Sequence, residues 1–471
     1  MLINQAKANT AITSIQNLYT QNYKCYGQMI IALMAFSFFL IYPDNLSAQP
    51  PPMADTEDDQ LASEFIASNL IAIIELRDQL KLLVDEEDYS QALPFALRLS
   101  DIIASEHGIG SNVYMQSIMD LAILQRHLGL YEESNQSLYE VLEFNFSNEG
   151  SFAESNIIPL QIMATNYNDM DDFTSAFNIF EDARLISRRT QGLLNTTQLD
   201  IMRYQANILI RDDKIDQGVA HQNEAYRTAR RISINDQNLR IGFLYEYAEW
   251  HFGANQFETG RVLLIEALDT IRSTEGENSP SLIRAYRELG SSFRRQQLND
   301  QNGLGYLMRA DRLIETQGDQ VDALDKALVY RELGDWYTAF SRVSDGLRQY
   351  ARIWEVSKEA DDVYLEIIED WFDKPVALIT YRPNGRGLTT SDNEEALSGL
   401  VIADYVIDER GRTKDINIIE STPPGFKDGT VYASIRDGRY RPKMINGASV
   451  ESELMTETFS FYYVPRLSQR N

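Results

Sequence analysis

Histidine is the side chain most often used for proton transfer and metal binding near neutral pH, and this sequence contains four. His107, His127, His221 and His251 are widely separated, so none forms the H-x-x-x-H spacing of a helical zinc site. The sequence lacks a G-x-S-x-G nucleophile motif, and residues 385–387 (GRG) lack the third glycine of a phosphate-binding loop. These patterns predict a protein that is not an enzyme and uses no metal or other cofactor.

The composition limits the kinds of partner that the chain can bind. Its 471 residues carry 43 Lys and Arg against 70 Asp and Glu, which gives a net charge of −27. Such an acidic surface repels phosphate backbones and argues against nucleic acid as a partner. With 44% hydrophobic residues, a chain of this length can bury more than one core, so we expect two or more domains.

Small side chains recur every 42 or 43 residues through most of the chain. Two further columns of mostly small residues keep the same interval, one lying 12 residues before the first column and the other 7 residues after it. A small side chain at each helix crossing lets the two helices of a hairpin pack closely. The pattern resembles tetratricopeptide repeats and predicts a mostly α protein, with an α-solenoid of about seven 42-residue helical hairpins over residues 60–373. The first column consists of Ala92, Ser134, Ala176, Gly218, Gly260, Gly303 and Gly346.

Solenoids of this kind bind partners in the groove that their first helices line. The repeat register predicts a mixed polar lining that suits an extended peptide or a protein tail. The same residues could equally be solvated helix faces. The predicted groove positions are Gln161, Asn168, Arg203, Asn207, Tyr245, Glu249, Glu288 and Arg331.

A different pattern begins near residue 397. Alternating apolar residues from Val401 to Ile407, a turn at residues 408–411 and a second alternating run predict a β-hairpin. A short helical pattern follows over residues 426–437, and residues 453–463 are rich in β-branched and aromatic side chains, as a third strand would be. We therefore predict a small α+β domain of β-β-α-β order over residues 397–465.

This domain resembles the C-terminal domain of TonB-family energy transducers. The resemblance rests on V-x-A-x-Y-V-I-D-x-x-G from Val401 to Gly411, D-I-N-I at 415–418, R-Y-R-P at 439–442 and Phe459-x-Phe461. It implies that the domain engages an envelope protein, such as an outer-membrane receptor. If the topology follows the resemblance, the third strand lies at a sheet edge, where it can accept a strand from a partner. The positions expected to bind the partner are Thr456, Thr458, Ser460 and Tyr462.

The chain begins with a pattern typical of export. An apolar run over residues 29–42 is followed by Leu46-Ser47-Ala48, a small-residue cleavage site, so residues 1–48 are predicted to be a cleaved signal peptide. We expect a disordered tether at 49–59, a linker at 374–396, a tail at 466–471 and a periplasmic location. The alternative is an inner-membrane anchor facing the periplasm.

Three functions are consistent with these patterns. The first is a non-enzymatic scaffold for protein interactions in the cell envelope, whose TonB-like domain engages a protein partner. The second is a structural adaptor that binds peptides only through the solenoid groove. The third is an energy transducer of TonB-dependent transport, which requires an inner-membrane helix.

Overall fold

The computed structural model describes residues 57–358, 362–381 and 397–463. It divides into two compact units, Met1–Phe243 and Leu244–Asn471. The predicted signal peptide, residues 49–56 of the predicted tether and the predicted tail lie outside the described residues. The tether prediction ends too late, because the first helix begins at Glu57.

The first unit consists of helical hairpins. Its described residues form eight complete α-helices and the first turns of a ninth, and the eight complete helices pack in successive pairs through short turns. A single 3₁₀ turn, Glu154–Asn156, precedes the third hairpin. The four hairpins are α1 (Glu57–Asp85) with α2 (Tyr89–His107), α3 (Asn112–His127) with α4 (Tyr131–Asn148), α5 (Ile157–Asp169) with α6 (Phe173–Thr190), and α7 (Thr196–Arg211) with α8 (Ile215–Ile232).

The second unit continues the same pattern and then changes it. Three hairpins are followed by one further helix, α15 (Asp362–Phe372), and a 3₁₀ turn at Gly318–Gln320 connects the second hairpin to the third. The prediction of seven hairpins is therefore confirmed for the part of the chain that the structure describes. These hairpins are α9 (Gln237–Gly253) with α10 (Phe257–Glu275), α11 (Leu282–Arg295) with α12 (Gln301–Gln317), and α13 (Ala323–Ala339) with α14 (Val343–Ser357).

In the second, fourth, fifth and seventh hairpins the helices cross where the sequence places its small residues. Ser134 Oγ donates a hydrogen bond to the carbonyl oxygen of Ala122, twelve residues earlier, at 2.7 Å. A Cβ atom on Gly260 would lie only 2.9 Å from the carbonyl oxygen of Ala248 and 2.6 Å from Cδ1 of Phe252. Side chains larger than these therefore do not fit at the crossings, which confirms the predicted register.

Each hairpin turn contains a residue with left-handed backbone conformation. Asp171, Asp213 and Asn255 have φ angles of 59°, 56° and 57°, and they follow one another at intervals of 42 residues. In the first of these turns the N–H of Asp172 donates to the carbonyl oxygen of Tyr167 at 2.9 Å. This geometry ends the first helix and satisfies one of its last carbonyl groups.

The end of the chain forms the predicted α+β domain, with additional short strands. The order β-β-α-β holds, and three short strands stand between the helix and the last strand. The predicted linker also differs, because residues 376–379 form a strand that pairs with residues 439–441, while 382–396 lie outside the described residues. The elements are β1 (Val376–Ile379), β2 (Leu397–Ile407), β3 (Thr413–Thr422), α16 (Asp428–Asp437), β4 (Arg439–Arg441), β5 (Lys443–Ile445), β6 (Ala448–Val450) and β7 (Met455–Tyr463).

The largest sheet has the antiparallel order β3-β2-β7, and β1-β4 and β5-β6 form two-stranded pairs. One face of β2 supplies Val401, Ala403 and Tyr405 to a core that α16 covers with Val431 and Ile435. This alternation is the period of two that the sequence predicts. The last strand, β7, lies at the edge of the described sheet, as predicted.

Candidate functional site

The backbone hydrogen bonds of β2 show which N–H and C=O groups of β7 already have a partner within the sheet. The carbonyl oxygen of Ile407 accepts a hydrogen bond from the N–H of Ser452, just before β7, at 2.9 Å. Because backbone groups alternate between the two sides of a strand, Tyr405 and every second residue before it also face β7. The register pairs Tyr405 with Met455 and continues without a shift along β7.

The intervening residues of β7 therefore direct their backbone N–H and C=O groups away from β2. No other described strand pairs with that side of β7. The side chains of the first three of these residues are exposed on the sheet face opposite the core. These residues are the ones that the sequence predicts for partner binding, namely Thr456, Thr458, Ser460 and Tyr462.

The other face of β7 holds the strand in the domain. Met455, Phe459 and Phe461 pack against the core, and the hydroxyl of the buried Tyr405 donates to Glu457 at 2.8 Å. Burial, then the neighbouring Tyr440 and Glu457, raises the pKa of Tyr405 far above its ordinary value, so this hydroxyl stays a donor at neutral pH. The β7 edge is thus a fixed strand whose outer backbone groups are oriented away from the sheet.

A buried ion pair attaches this domain to the last hairpin. Arg441 donates to both carboxylate oxygens of Asp335 on α13, at 2.8 and 2.7 Å. Arg441 also donates to the carbonyl oxygen of Trp371 at 2.9 Å, and the hydroxyl of Tyr350 donates to Asp335 at 2.8 Å. Helices α13, α14 and α15 and strand β4 therefore meet at one buried ion pair.

Further charged side chains surround this ion pair, and together they shift the pKa values of the groups at the junction. Arg294 donates to Glu332 at 2.9 Å. Burial raises the pKa of Asp335, but Arg441, followed by Arg294 and Arg331, lowers it overall to about 2. Burial and then Arg441 lower the pKa of Arg331 to about 10. Burying such a pair is favourable only when each charge keeps its partner.

Two glycines let the small domain approach the helices. A Cβ atom on Gly411, where φ is 72°, would collide with the carbonyl oxygen of Tyr440 and lie 3.3 Å from Cγ2 of Thr338. A Cβ on Gly447, where φ is 82°, would lie 3.2 Å from Cγ of Trp354. Both turns of the small domain therefore rest on the last hairpin. Gly411 and Arg441 belong to motifs that the sequence shows, but nothing in those motifs indicates a contact with helices.

The predicted groove residues all lie on first helices of hairpins. In the second unit they are engaged by neighbouring side chains: Arg295 pairs with Glu249 at 2.8 Å, and the guanidinium of Arg331 lies 4.2 Å from the ring of Trp371. Also in the second unit, the ring of Tyr245 lies 4.1 Å from the guanidinium of Arg284, and Glu288 pairs with Arg287. The positions in the first unit are Gln161 and Asn168 on α5 and Arg203 and Asn207 on α7.

A separate pocket of about 480 Å³ lies in the first unit. Phe173 and Phe177 on α6 and His221 on α8 line it, so it is formed mainly by second helices, and none of the predicted groove positions is among its lining residues. Burial lowers the pKa of His221, whose Nε2 lies 3.2 Å from Oε1 of Gln205. Across the described residues no group of three or more metal-ligating side chains comes together. No helix there is long and apolar enough to cross a membrane.

Comparisons with known proteins find similar folds only. No family model matches the sequence, and no curated protein matches it. A tetratricopeptide repeat protein from Parabacteroides merdae has 13% identity and a TM-score of 0.33, with 63% of this chain and 98% of that chain covered. The apo form of RapI has 13% identity and a TM-score of 0.40, with 78% and 93% covered. The apo quorum sensor NprR from B. thuringiensis has 10% identity and a TM-score of 0.33, with 78% and 98% covered.

These neighbours are repeat proteins of the tetratricopeptide type. In this chain the helical hairpins of each unit are shown by its own crossings and turns.

Proposed function

We propose that this chain is a non-enzymatic scaffold of the cell envelope, which presents a strand-accepting edge to a protein partner. The observation that carries the proposal is the outward row of backbone groups along β7, at Thr456, Thr458 and Ser460. An extended segment can add to such an edge through main-chain hydrogen bonds, while exposed side chains select the partner.

The attachment of the small domain supports this function. Arg441 and Asp335 fix the domain to α13, and the glycine turns at Gly411 and Gly447 rest on the same hairpin. A partner that binds at β7 would therefore pull on the helical hairpins as well as on the sheet. This arrangement suits a scaffold that holds two proteins together.

The resemblance to the TonB C-terminal domain suggests the partner. It favours the periplasmic end of an outer-membrane receptor, reached after export and cleavage behind Ala48. We regard the adaptor that binds only through its groove, and the energy transducer anchored in the inner membrane, as alternatives. In the second unit Glu249 and Arg331 already contact neighbouring side chains, which makes the groove the weaker candidate there.

A photo-crosslinking experiment tests the strand-accepting edge. A photoreactive phenylalanine analogue replaces Thr458 or Ser460 in cells, with Tyr432, exposed on α16, as the control position. We expect one envelope protein to crosslink at the two β7 positions and to be absent at 432. Mass spectrometry of the crosslink should identify an extended segment of that protein.

A proline variant then tests the main-chain bond. Thr458→Pro removes one outward N–H and should reduce crosslinking at residue 460 about tenfold, since a lost hydrogen bond costs roughly 1 kcal/mol and the ring also obstructs the added strand. Thr458→Val keeps the N–H and should crosslink as the wild type does. Equal crosslinking by both variants, or the same proteins captured at 432, would rule out strand addition.

The location is tested by the mature N-terminus. We expect the purified envelope protein to begin at Gln49, because Leu46-Ser47-Ala48 forms the predicted cleavage site. Mass spectrometry of the intact protein measures this directly. A protein that retains residues 1–48 in the inner-membrane fraction would instead support the anchored alternative.

A further inference from the structure

The connections between hairpins in the first unit expose apolar side chains. Each connection follows the second helix of one hairpin and precedes the first helix of the next, so in stacked hairpins they share one edge of the unit. The exposed fractions range from 41% to 70%. The residues are Ile109, Phe152, Leu193, Leu194 and Ile234, and together we call them the apolar edge.

The structure of the connection does not require these apolar residues. In the first unit Gly108 and Gly192, both with positive φ, are followed directly by Ile109 and Leu193. In the second unit the corresponding glycines, Gly276 and Gly318, also have positive φ, but Glu277 and Asp319 follow them. The same turn thus accepts acidic residues, and the apolar side chains of the first unit have another cause.

Arginines stand beside the apolar edge. The last turn of α6 carries Arg188 and Arg189, and the last turn of α8 carries Arg230 and Arg231. All four are exposed. The guanidinium of Arg189 lies 4.2 Å from the ring of Phe152, which places the charge directly at the edge.

Three carboxylates of these connections accept local hydrogen bonds from neutral donors and keep their negative charge. Glu154 accepts from Gln191 at 2.7 Å and Asp236 accepts from the N–H of Leu239 at 2.9 Å. Glu149 accepts from Ser155 at 2.9 Å. The arginine ion pairs described in this unit involve other residues, such as Arg126 and Arg184. Four exposed guanidiniums therefore stand out on a chain whose net charge is −27.

We propose that the apolar edge docks on the surface of an anionic phospholipid bilayer. The apolar side chains stand on separate loops along an edge, where they can enter the boundary between headgroups and acyl chains. The arginines at the helix ends lie beside them and match the negative headgroups. Arginines at helix C-termini also interact favourably with the helix dipole, so the proposal depends on their combination with the exposed apolar side chains. It stands independently of the β7 edge and its partner.

An environment-sensitive fluorophore tests the proposal at a single position. The full chain carries Cys25→Ser, because this is its one cysteine, and a nitrobenzoxadiazole label on Leu193→Cys. The control label is on Val262→Cys, an exposed apolar position of α10 in the second unit. The label reports contact at its own position, even where the apolar run 29–42 also holds the chain on vesicles.

We expect the label at 193 to shift to shorter wavelength and brighten several-fold with phosphatidylglycerol-containing vesicles. Pure phosphatidylcholine should have little effect, and the label at 262 should not respond. Changing Arg188, Arg189, Arg230 and Arg231 to Gln should raise the vesicle concentration for half-maximal response by roughly several hundredfold, since each of the four basic residues near an anionic surface contributes roughly fivefold. These residues are exposed, so the variant should keep the far-ultraviolet circular dichroism of the wild type.

Three results would overturn the proposal. The first is a label at 193 that does not respond to anionic vesicles. The second is an equal response at 193 and 262. The third is a blue shift at 193 that grows with protein concentration in the absence of lipid, which would assign the apolar edge to contact with a second copy of the chain.

Discussion

The hairpin crossings and the junction between α13 and β4 are both buried, but the crossings consist of small uncharged side chains and the junction consists of an ion pair. At the crossings, small side chains such as Ala248 and Gly260 bring two backbones together without any charge. At the junction, Arg441 and Asp335 bring two elements together through a guanidinium and a carboxylate. A crossing loses stability when a side chain becomes too large, whereas the junction loses stability when one charge loses its partner.

The largest effect is expected at the junction. Asp335→Ala leaves Arg441 buried without its carboxylate and should lower the free energy of unfolding by about 3–5 kcal/mol. Urea denaturation followed by tryptophan fluorescence measures this, because Trp336 and Trp371 lie near the pair. The control Asp345→Ala removes an aspartate of α14 that pairs with Arg342, and it should change the midpoint little.

A double variant sharpens this result. Asp335→Leu with Arg441→Met replaces both charges by apolar side chains and should recover most of the stability lost in Asp335→Ala. If the double variant is as unstable as Asp335→Ala, the loss comes from packing and not from the unpaired charge.

At the crossings we expect a smaller loss. Gly260→Leu places a side chain against Phe252 and the carbonyl oxygen of Ala248, and should lower the free energy of unfolding by about 1–3 kcal/mol. Gly305→Ala is the matched control, because a Cβ on Gly305 of α12 meets no atom within 4 Å. It should stabilise the helix by roughly 0.5–1 kcal/mol. Thermal melts that rank the two variants in the opposite order would show that the crossing register is wrong.

Low pH should weaken the ion pair of the junction but not the uncharged crossings. The pKa of Asp335 is depressed to about 2 in the folded state, so its contribution is present above the unfolded pKa near 4 and is lost as pH falls towards 2. The contribution should be on the order of 2 kcal/mol. Urea midpoints of the wild type should therefore fall more steeply between pH 4 and 2 than those of the double variant that lacks both charges. Parallel profiles would contradict the depressed pKa.

The same difference explains which features the sequence could predict. The crossings repeat every 42 or 43 residues, so each hairpin strengthens the same sequence period. The hairpins and their small residues can be predicted from that period. The alternation in Val401, Ala403 and Tyr405 likewise predicts β2. Arg441 and Asp335 are 106 residues apart and occur once, so no period connects them. The short strand Val376–Ile379 was missed because it has only four residues and pairs with β4, far along the chain.

The sequence could predict which residues of β7 face outward, because strand alternation and the order of elements determine this, and their role in binding a partner stays a prediction. It could not predict that Glu249 and Arg331 are engaged by Arg295 and Trp371. Such pairings depend on side-chain conformation between neighbouring helices. The regular spacing of groove positions carries no information about them.

The turn residues Asp171, Asp213 and Asn255 have a consequence for how the chain could change in length. They share one backbone conformation and are 42 residues apart. Deleting the 42 residues from 172 to 213 would join Asp171 to Lys214, with a left-handed residue still closing the helix before it. We therefore expect one 42-residue repeat to be removable as a unit, because the deletion joins α5 to α8 at turn positions that already match.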